Sequence, residues 1–267
     1  MDRDKYRLIY RKYRRSFEKR FGGYTTELSL SVRYIITEKQ APQNKFIIFG
    51  YQRTGSTLLV DLLNSHPLIE CDGELLLNRM FNPDRYLCRR AKLSKADNFG
   101  FKLLTPHFDY QNINQPDHFI QGLVGSGYKV IKLKRLNILR TAISLIYAIN
   151  SGKFHFQRSS LNKAAPKIYI DLSELIEKIQ WIEYSISVQE QAIFDIPHLE
   201  VIYEDDLVDP SRHQETVKRI SNYLGIHNEL VQTKWVKYSD DLSQTITNVD
   251  EIKSFIQNTK YSEFLDF

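Results

Sequence analysis

The stretch Lys45–Leu63 reads KFIIFGYQRTGSTLLVDLL, and it decides the fold of this chain. Its first six residues form a short apolar run that suits a buried strand. The run passes into a turn rich in Gly, Ser and Thr, Gly50–Thr57, after which leucines recur at helical spacing. A strand, a glycine turn and a helix in direct succession are typical of a phosphate-binding loop.

The turn Gly50–Thr57 has the spacing of a phosphate-binding loop but lacks its usual lysine. In the Walker A pattern, lysine follows the second glycine and reaches the β- and γ-phosphates, whereas this chain has Ser56 there. Arg53 keeps one cation inside the turn. The turn is therefore better suited to a single 5′-phosphate than to a triphosphate. A glycine turn without a ligand is the alternative, and the arginine and hydroxyls of the turn argue against it.

A second cationic element lies at the end of a later apolar run. Residues 129–135 read KVIKLKR, a strand pattern that ends in Arg135, and the helical pattern after it carries Arg140 and Ser144. Ligands bind at the carboxyl ends of the strands in parallel sheets. The arginine fork and the serine hydroxyl could therefore hold a second phosphate together. Solvated basic residues at a strand edge are the alternative interpretation.

Strand and helix patterns alternate along the chain. The further strands predicted are 100–104, 129–134 and 200–203, and the predicted helices are 117–124, 137–150, 171–194 and 211–224. This order indicates an α/β protein with three layers, a P-loop-like fold whose mainly parallel central sheet is flanked by helices. We expect an N-terminal helix and connector at 1–44, with 22–44 irregular, and one domain at 45–267.

The composition is that of a folded protein outside the membrane. Hydrophobic residues make up 42% and charged residues 26%, so general disorder is not expected. The apolar runs are too short to span a bilayer, and the charged N-terminus does not resemble a secretory signal. Cys71 and Cys88 form neither a disulfide framework nor a metal cluster. These features favour the cytoplasm.

The N-terminal residues 1–21 are strongly basic, with nine cationic and three anionic side chains. Their apolar residues recur at helical spacing, which predicts a basic amphipathic helix. Two interpretations remain open. The helix packs on the main domain through its apolar stripe, or it makes peripheral contact with a membrane or another anionic partner.

Several motifs resemble the family of PAPS-dependent sulfotransferases, which use 3′-phosphoadenosine 5′-phosphosulfate as co-substrate. The motifs are QRTGSTLL at 52–59, LNSHP at 63–67, VIYEDDL at 201–207 and the pair Arg135 and Ser144. GFKLL at 100–104 and ITNVDE at 246–251 resemble the bacterial carbohydrate-acting branch, which includes nodulation-factor and glycolipid sulfotransferases. The resemblance covers about residues 45–265. The glycine-rich C-terminal segment of cytosolic members is not evident.

The resemblance implies PAPS as donor, adenosine 3′,5′-bisphosphate as product and no metal. The donor-binding residues would then be Arg53, Thr54, Gly55, Ser56, Thr57, Leu58, Arg135, Arg140, Ser144 and Tyr203. Arg53 would also stabilise the leaving phosphate. Ser144 follows Arg135 by one position more than is common in the family, so Lys134 and Arg140 remain substitutes for Arg135.

The resemblance also places the general base at Glu74, just after the loop helix, with Asp72 as its nearest rival. We expect His66 to be structural, and His107 to be a loop histidine rather than an acceptor ligand. The aromatic stretch Tyr147–Phe156 could line an acceptor cleft, although core packing explains it nearly as well. The implied acceptor is a hydroxyl of a saccharide or glycolipid, or of another small molecule.

Two other classes of function remain as alternatives. A P-loop kinase or NTPase would use the acidic strand end Glu204–Asp205 to hold Mg²⁺. A nucleic-acid or membrane-surface binding protein would act through the basic N-terminus without catalysis. Nucleic acid is not expected as a partner, because it leaves the phosphate loop and Glu74 without a role.

Overall fold

The computed structural model describes residues 22–37, 40–152, 166–233 and 242–265. Its strands are β1 (Asn44–Gly50), β2 (Ile69–Asp72), β3 (Asn98–Leu104), β4 (Tyr128–Lys134) and β5 (His198–Ile202). Its helices are α1 (Gly22–Ile35), α2 (Ser56–Asn64), α3 (Pro83–Lys92), α4 (Pro106–Gln111), α5 (Pro116–Gly125), α6 (Ile138–Ser151), α7 (Leu172–Ala192), α8 (His213–Leu224) and α9 (Val249–Gln257). Shorter 3₁₀ turns span Pro210–Arg212, Leu242–Gln244 and Ser262–Phe264, and a π-helical turn spans Tyr203–Leu207.

The five strands form one sheet in the order β2-β3-β1-β4-β5. The pairings of β1 with β3, β1 with β4 and β2 with β3 are parallel. Helices connect the strands, as parallel pairing requires. The predicted α/β class with a mainly parallel sheet flanked by helices is confirmed. Strand β1 is central in this order. The chain after β1 continues toward the β2 edge of the sheet, whereas the chain after β4 continues toward the β5 edge. In parallel sheets, ligand-binding crevices form where two neighbouring connections diverge in this way.

The chain divides into two compact units. Unit 1 comprises residues 1–50, 67–132 and 188–199. Its core lies around β1 and β3, whose apolar side chains are fully buried, among them Ile47, Phe49, Phe101 and Leu103. Gly100 of β3 lies directly against the ring of Phe46, so closely that a methyl group there would overlap the ring. This contact explains a glycine inside a buried strand.

Unit 2 comprises residues 51–66, 133–187 and 200–267. It contains the turn after β1, helix α2, and helices α6, α8 and α9, each of which buries an apolar stripe. Polar contacts at the end of α2 fix the segment that follows α8, at residues 227–233. Thr233 donates to Asp61 at 2.7 Å, and the His66 Nε2 atom lies 2.9 Å from the carbonyl oxygen of His227. The expectation that His66 is structural agrees with this contact.

Several predicted elements differ from those observed. Residues 22–44 were expected to be irregular, and this is wrong, because 22–35 form helix α1. The strand expected at 200–203 begins two residues earlier and ends at Ile202, so Tyr203 opens the π-helical turn. Strand β2 and helices α3, α4 and α9 were not predicted. The division at residue 44 stays a prediction, and the helix expected at 1–21 lies outside the described residues.

None of the helices in the described ranges has both the length and the apolar character needed to cross a membrane.

Candidate active site

The turn after β1 changes direction through two residues in left-handed conformation. Arg53 has φ 64° and Gly55 has φ 86°, and α2 begins directly afterwards at Ser56. The Thr54 hydroxyl points back into the turn and donates to the carbonyl of Tyr51 at 3.0 Å. Within the described residues, no side chain caps the start of α2 at Gly55. The start of α2 is therefore a place where backbone amides and the positive end of the helix dipole would favour an anion.

Gly55 is required by its surroundings as well as by its backbone angle. A Cβ atom at this position would lie 2.5 Å from the Tyr203 ring, well inside contact distance. The Tyr203 ring thus packs directly against the turn at Gly55. Its position at the start of the π-helical turn follows from the early end of β5.

The Arg53 side chain reaches across unit 2 to helix α6. Its Nε atom donates a hydrogen bond to the Ser144 hydroxyl at 3.0 Å. Burial, and after it the charge of Arg135, lowers the pKa of Arg53 to about 10, against a smaller opposing effect from Tyr203. Two guanidinium groups held close together destabilise one another, and a bound anion would relieve this repulsion.

Arg135 follows β4 and is only 8% exposed. Its Nη1 atom donates to the carbonyl of Arg53 at 3.1 Å, and its guanidinium carbon lies 4.6 Å from the centre of the Tyr203 ring. The Nε atom is buried and has no hydrogen-bond partner among the described residues, with the nearest carboxylate, that of Glu204, 3.7 Å away. A buried donor in this state is costly, so a ligand that accepts a bond here would be stabilised.

The backbone of Arg135 is fixed by Tyr51, which is fully buried. The Tyr51 hydroxyl donates to the carbonyl of Arg135 at 2.6 Å and accepts from its amide at 3.0 Å. One phenol group therefore ties the residue after β1 to the residue after β4. This link was not predicted, because Tyr51 reads in the sequence as an ordinary apolar continuation of β1.

The other cations considered for a second phosphate occupy different surroundings. Arg140 lies in the first turn of α6, and burial together with the charge of Arg135 lowers its pKa. Lys134 is engaged elsewhere, in an ion pair with Glu200 at 2.8 Å. The structure thus brings Arg53, Arg135 and Ser144 into one group with Arg140 nearby, and it gives Lys134 a carboxylate partner.

Glu204 was expected only as a possible Mg²⁺ ligand, whereas in the structure it binds backbone amides. Its carboxylate accepts hydrogen bonds from the amides of Leu136 at 2.8 Å and Asn137 at 3.2 Å. These bonds fix the start of α6 immediately after Arg135. No signal in the sequence indicates this pairing, because the partners are 68 and 67 residues apart.

Glu74 lies in unit 1, where it forms a second charged group with Lys102 and His107. The Lys102 Nζ atom is 2.9 Å from one carboxylate oxygen, and His107 Nε2 is 3.2 Å from the other. Burial alone would raise the pKa of Glu74, but the bond and charge of His107 and the charge of Lys102 lower it to about 2. Glu74 is therefore an ionised carboxylate at neutral pH, as a base must be.

The proton of His107 can be placed from its neighbours. The amide of Leu104 donates to His107 Nδ1 at 3.1 Å, so this nitrogen carries a lone pair and the ring proton lies on Nε2, facing Glu74. Burial lowers the pKa of His107, against the opposing effect of Glu74. His107 was expected to be a loop histidine, but it lies in α4 and orients the carboxylate of Glu74.

The remaining candidates near the site are accounted for by other contacts. Asp72, the rival base, is bound by Arg90 at 2.9 Å through one oxygen and 2.7 Å through the other. Tyr147 of the expected acceptor stretch is buried, and residues 153–156 of that stretch lie outside the described part of the chain. In the ranges that the structure describes, no three His, Cys, Asp or Glu side chains are grouped to hold a metal ion.

The fold and the turn after β1 define the class of α/β proteins with a P-loop-like turn between the first strand and the helix that follows it. No family model matches the chain. In sequence it is similar to nodulation protein H of Rhizobium meliloti strain 1021, with 24% identity over 251 residues that cover 86% of this chain and 98% of that protein. Nodulation protein H of Rhizobium tropici is 25% identical over 245 residues, with 83% and 92% covered.

A solved sulfotransferase structure from Alicyclobacillus acidocaldarius matches with a TM-score of 0.49 and 16% identity, covering 85% of this chain and 95% of that one. The similarity to nodulation protein H along nearly the whole chain confirms the predicted resemblance. The similarity to nodulation protein H covers 83–86% of this chain and 92–98% of those proteins.

Proposed function

We propose that this chain is a sulfotransferase that moves the sulfuryl group of PAPS to a hydroxyl of a carbohydrate-type acceptor. The observation that carries the proposal is the group formed by Arg53, Arg135 and Ser144 beside a phosphate-binding turn without the Walker lysine. The buried Nε atom of Arg135 has no hydrogen-bond partner among the described residues, and a phosphate oxygen would supply one.

In the proposed donor complex, the amides of residues 54–58 hold the 5′-phosphosulfate together with Arg53, Ser56 and Thr57. Arg135 and Ser144 hold the 3′-phosphate, with Arg140 as the substitute cation. Thr54 and Leu58 contribute through their backbone, since the Thr54 hydroxyl is already bonded to Tyr51. Tyr203 supports this group through its contacts with Gly55 and Arg135.

The transfer itself is a single in-line displacement at sulfur. The acceptor oxygen forms a bond to sulfur while the bond from sulfur to the 5′-phosphate oxygen breaks, which releases adenosine 3′,5′-bisphosphate. The hydroxyl proton passes to Glu74, which is ionised and held by Lys102 and His107. Arg53 stabilises the charge that develops on the leaving phosphate. A sulfuryl group carries less charge than a phosphoryl group, so the proposal requires no metal.

Thermal stability with two nucleotides separates this proposal from a P-loop kinase. Adenosine 3′,5′-bisphosphate should raise the Tm and ATP with Mg²⁺ should not, because Ser56 replaces the Walker lysine and Glu204 is bonded to two backbone amides. Stabilisation by ATP with Mg²⁺ alone would contradict the proposal.

The base is tested with radiolabelled donor and a native cell extract as the source of acceptor. Glu74→Gln should abolish label transfer and retain binding of adenosine 3′,5′-bisphosphate, whereas Asp72→Asn should retain both. If Glu74→Gln transfers label at the wild-type rate, Glu74 is not the base. Identification of the labelled product decides between a saccharide, a glycolipid and another small molecule.

The proposed location is the cytoplasm, with peripheral membrane contact through residues 1–21. Both cysteines are free, Cys71 buried and Cys88 exposed, which fits a reducing compartment. Membrane contact would bring the enzyme to a glycolipid acceptor.

A further inference from the structure

Helix α1 is fixed on unit 1 by one of its faces. The buried carboxylate of Glu27 accepts hydrogen bonds from the amides of Phe81 at 2.6 Å and Asn82 at 3.1 Å. Leu30 lies in the apolar core, and Gly23 packs so closely on the carbonyl of Arg79 that no side chain would fit there. The rotation of α1 about its axis is therefore set, and so is the direction of its opposite face.

The opposite face is apolar and exposed to solvent. Its large side chains are Leu28, Val32 and Ile35 of α1 and Ile36 in the turn directly after it, which are 61%, 62%, 80% and 76% exposed. Positions separated by four, seven and eight residues share one side of a helix, so these side chains form one surface, the α1 apolar face. At its N-terminal end, the ring of Tyr24 packs against the exposed ring of Phe81 with centroids 4.1 Å apart.

A surface of this kind needs an explanation. Single exposed apolar residues are ordinary, whereas a continuous apolar stripe marks a site of interaction with a protein or a membrane. The contacts of Gly23, Glu27 and Leu30 lie on the other side of α1, so they do not account for the exposure of Leu28, Val32 and Ile35.

The sequence before α1 continues the same pattern. Tyr6, Tyr10 and Phe17 stand 18 residues before Tyr24, Leu28 and Ile35, so apolar residues recur at the same spacing in both parts of the sequence. Residues 1–21 carry nine cationic side chains and three anionic ones. Aromatic rings combined with lysine and arginine are typical of segments that bind the membrane interface.

The charge decides between the occupants of the α1 apolar face. A second copy of this chain would carry the same excess of positive charge, a net +5, which does not favour association of like with like. An anionic lipid surface complements both the charge and the apolar side chains. We propose that the α1 apolar face docks on an anionic lipid surface. This proposal does not depend on the proposed sulfotransferase activity.

Sedimentation of the full chain with lipid vesicles tests the proposal. The wild type should bind phosphatidylcholine vesicles that contain about one third phosphatidylglycerol and should bind pure phosphatidylcholine more weakly. The triple variant Leu28→Gln, Val32→Gln, Ile35→Gln should bind the anionic vesicles roughly tenfold less well, because the apolar contribution is lost. Phe194→Gln with Leu230→Gln is the matched control, since both side chains are exposed outside α1, and it should bind as the wild type does.

Three results would overturn the proposal. The first is equal binding of the wild type to the two vesicle types, and the second is binding of the triple variant to anionic vesicles as strong as that of the control. A wild-type dimer in gel filtration that becomes a monomer in the triple variant would assign the face to a second copy instead. The Tm of each variant with adenosine 3′,5′-bisphosphate shows whether it is folded, and a smaller variant, Ile35→Gln with Ile36→Gln, replaces the triple variant if that one unfolds. Loss of vesicle binding with an unchanged nucleotide response separates the two proposals.

Discussion

The Nε atom of Arg53 donates a hydrogen bond of 3.0 Å to the hydroxyl of Ser144, which joins the turn after β1 to the helix after β4. The two side chains are 91 residues apart in the sequence, and in the proposed donor complex they bind different phosphates. Arg53 also contacts Arg135 through its carbonyl oxygen. A donor that binds here must therefore replace these hydrogen bonds or add to them. The affinity for the donor should depend on each of the three residues that form them.

Replacing Ser144 by alanine should weaken binding of adenosine 3′,5′-bisphosphate by about tenfold, because a hydrogen bond to a charged group is lost. Isothermal titration calorimetry measures the change in Kd. The control is Ser151→Ala on the same helix, where the hydroxyl donates to the carbonyl of Tyr147 and takes no part in the site. Equal affinities for the two variants would remove Ser144 from the donor site.

Replacing Gly55 by alanine should lower the free energy of unfolding by about 2–5 kcal/mol, since the left-handed backbone and the contact with Tyr203 both oppose a side chain. Urea unfolding measures this change. Gly225→Ala is the control, because Gly225 has φ 80° but no described atom lies within 4 Å of a Cβ built there. It should cost only about 1–2 kcal/mol. The prediction fails if the two variants are equally stable.

The depressed pKa of Glu74 makes stability depend on pH in the acid range. The pKa falls from 4.5 to about 2 on folding, so the stabilisation is complete above about pH 4.5 and is lost as the pH drops toward 2. Between pH 5 and pH 3 the wild type should lose about 1–2 kcal/mol more than Glu74→Gln, after allowance for partial exposure. Urea unfolding at both pH values measures the difference. The exposed Glu229→Gln should keep the wild-type slope, and an identical slope in Glu74→Gln would refute the ion pair.

The proton of His107 should reside on Nε2 at pH 7, because Nδ1 accepts from the amide of Leu104. Burial lowers the pKa of His107, so the ring should stay neutral at pH values where an exposed histidine gains charge. ¹⁵N NMR of the ring nitrogens reports the tautomer, and the missing signals of His107→Gln assign it. A protonated Nδ1 at pH 7 would contradict this arrangement of His107 and Glu74.

The sequence predicts β1, its turn and α2 well because they form one local pattern. An apolar run, a glycine turn and spaced leucines are adjacent in the chain, so no distant contact is needed to recognise them. Strand β2 was missed for the opposite reason. Its four residues include Glu70 and Asp72, and both carboxylates are compensated by Arg90, which no local pattern reveals.

Helices α1 and α3 were not predicted from the sequence, for two different reasons. Helix α1 begins with two glycines, so propensity does not favour its start, and its position is fixed by contacts such as that of Glu27 with the amide of Phe81. Helix α3 carries a signal that was overlooked, with Asn82 as N-cap and Pro83 in the first turn.

In the candidate site, the residue types could be predicted but not their partners. Arg53, Arg135 and Ser144 follow from the motifs, whereas the bonds of Tyr51 and Glu204 to the backbone around Arg135 connect distant parts of the chain. The same holds for Lys102 and His107, which were not connected with Glu74 before the structure placed them beside it.

The ring of Tyr203 lies between Gly55 and the guanidinium of Arg135 and contacts both. A larger residue at position 55 requires a smaller one at position 203, and a smaller one at 203 in turn uncovers Arg135. These three positions should therefore covary among natural homologues and in randomised libraries, with viable combinations arising through paired changes rather than single steps.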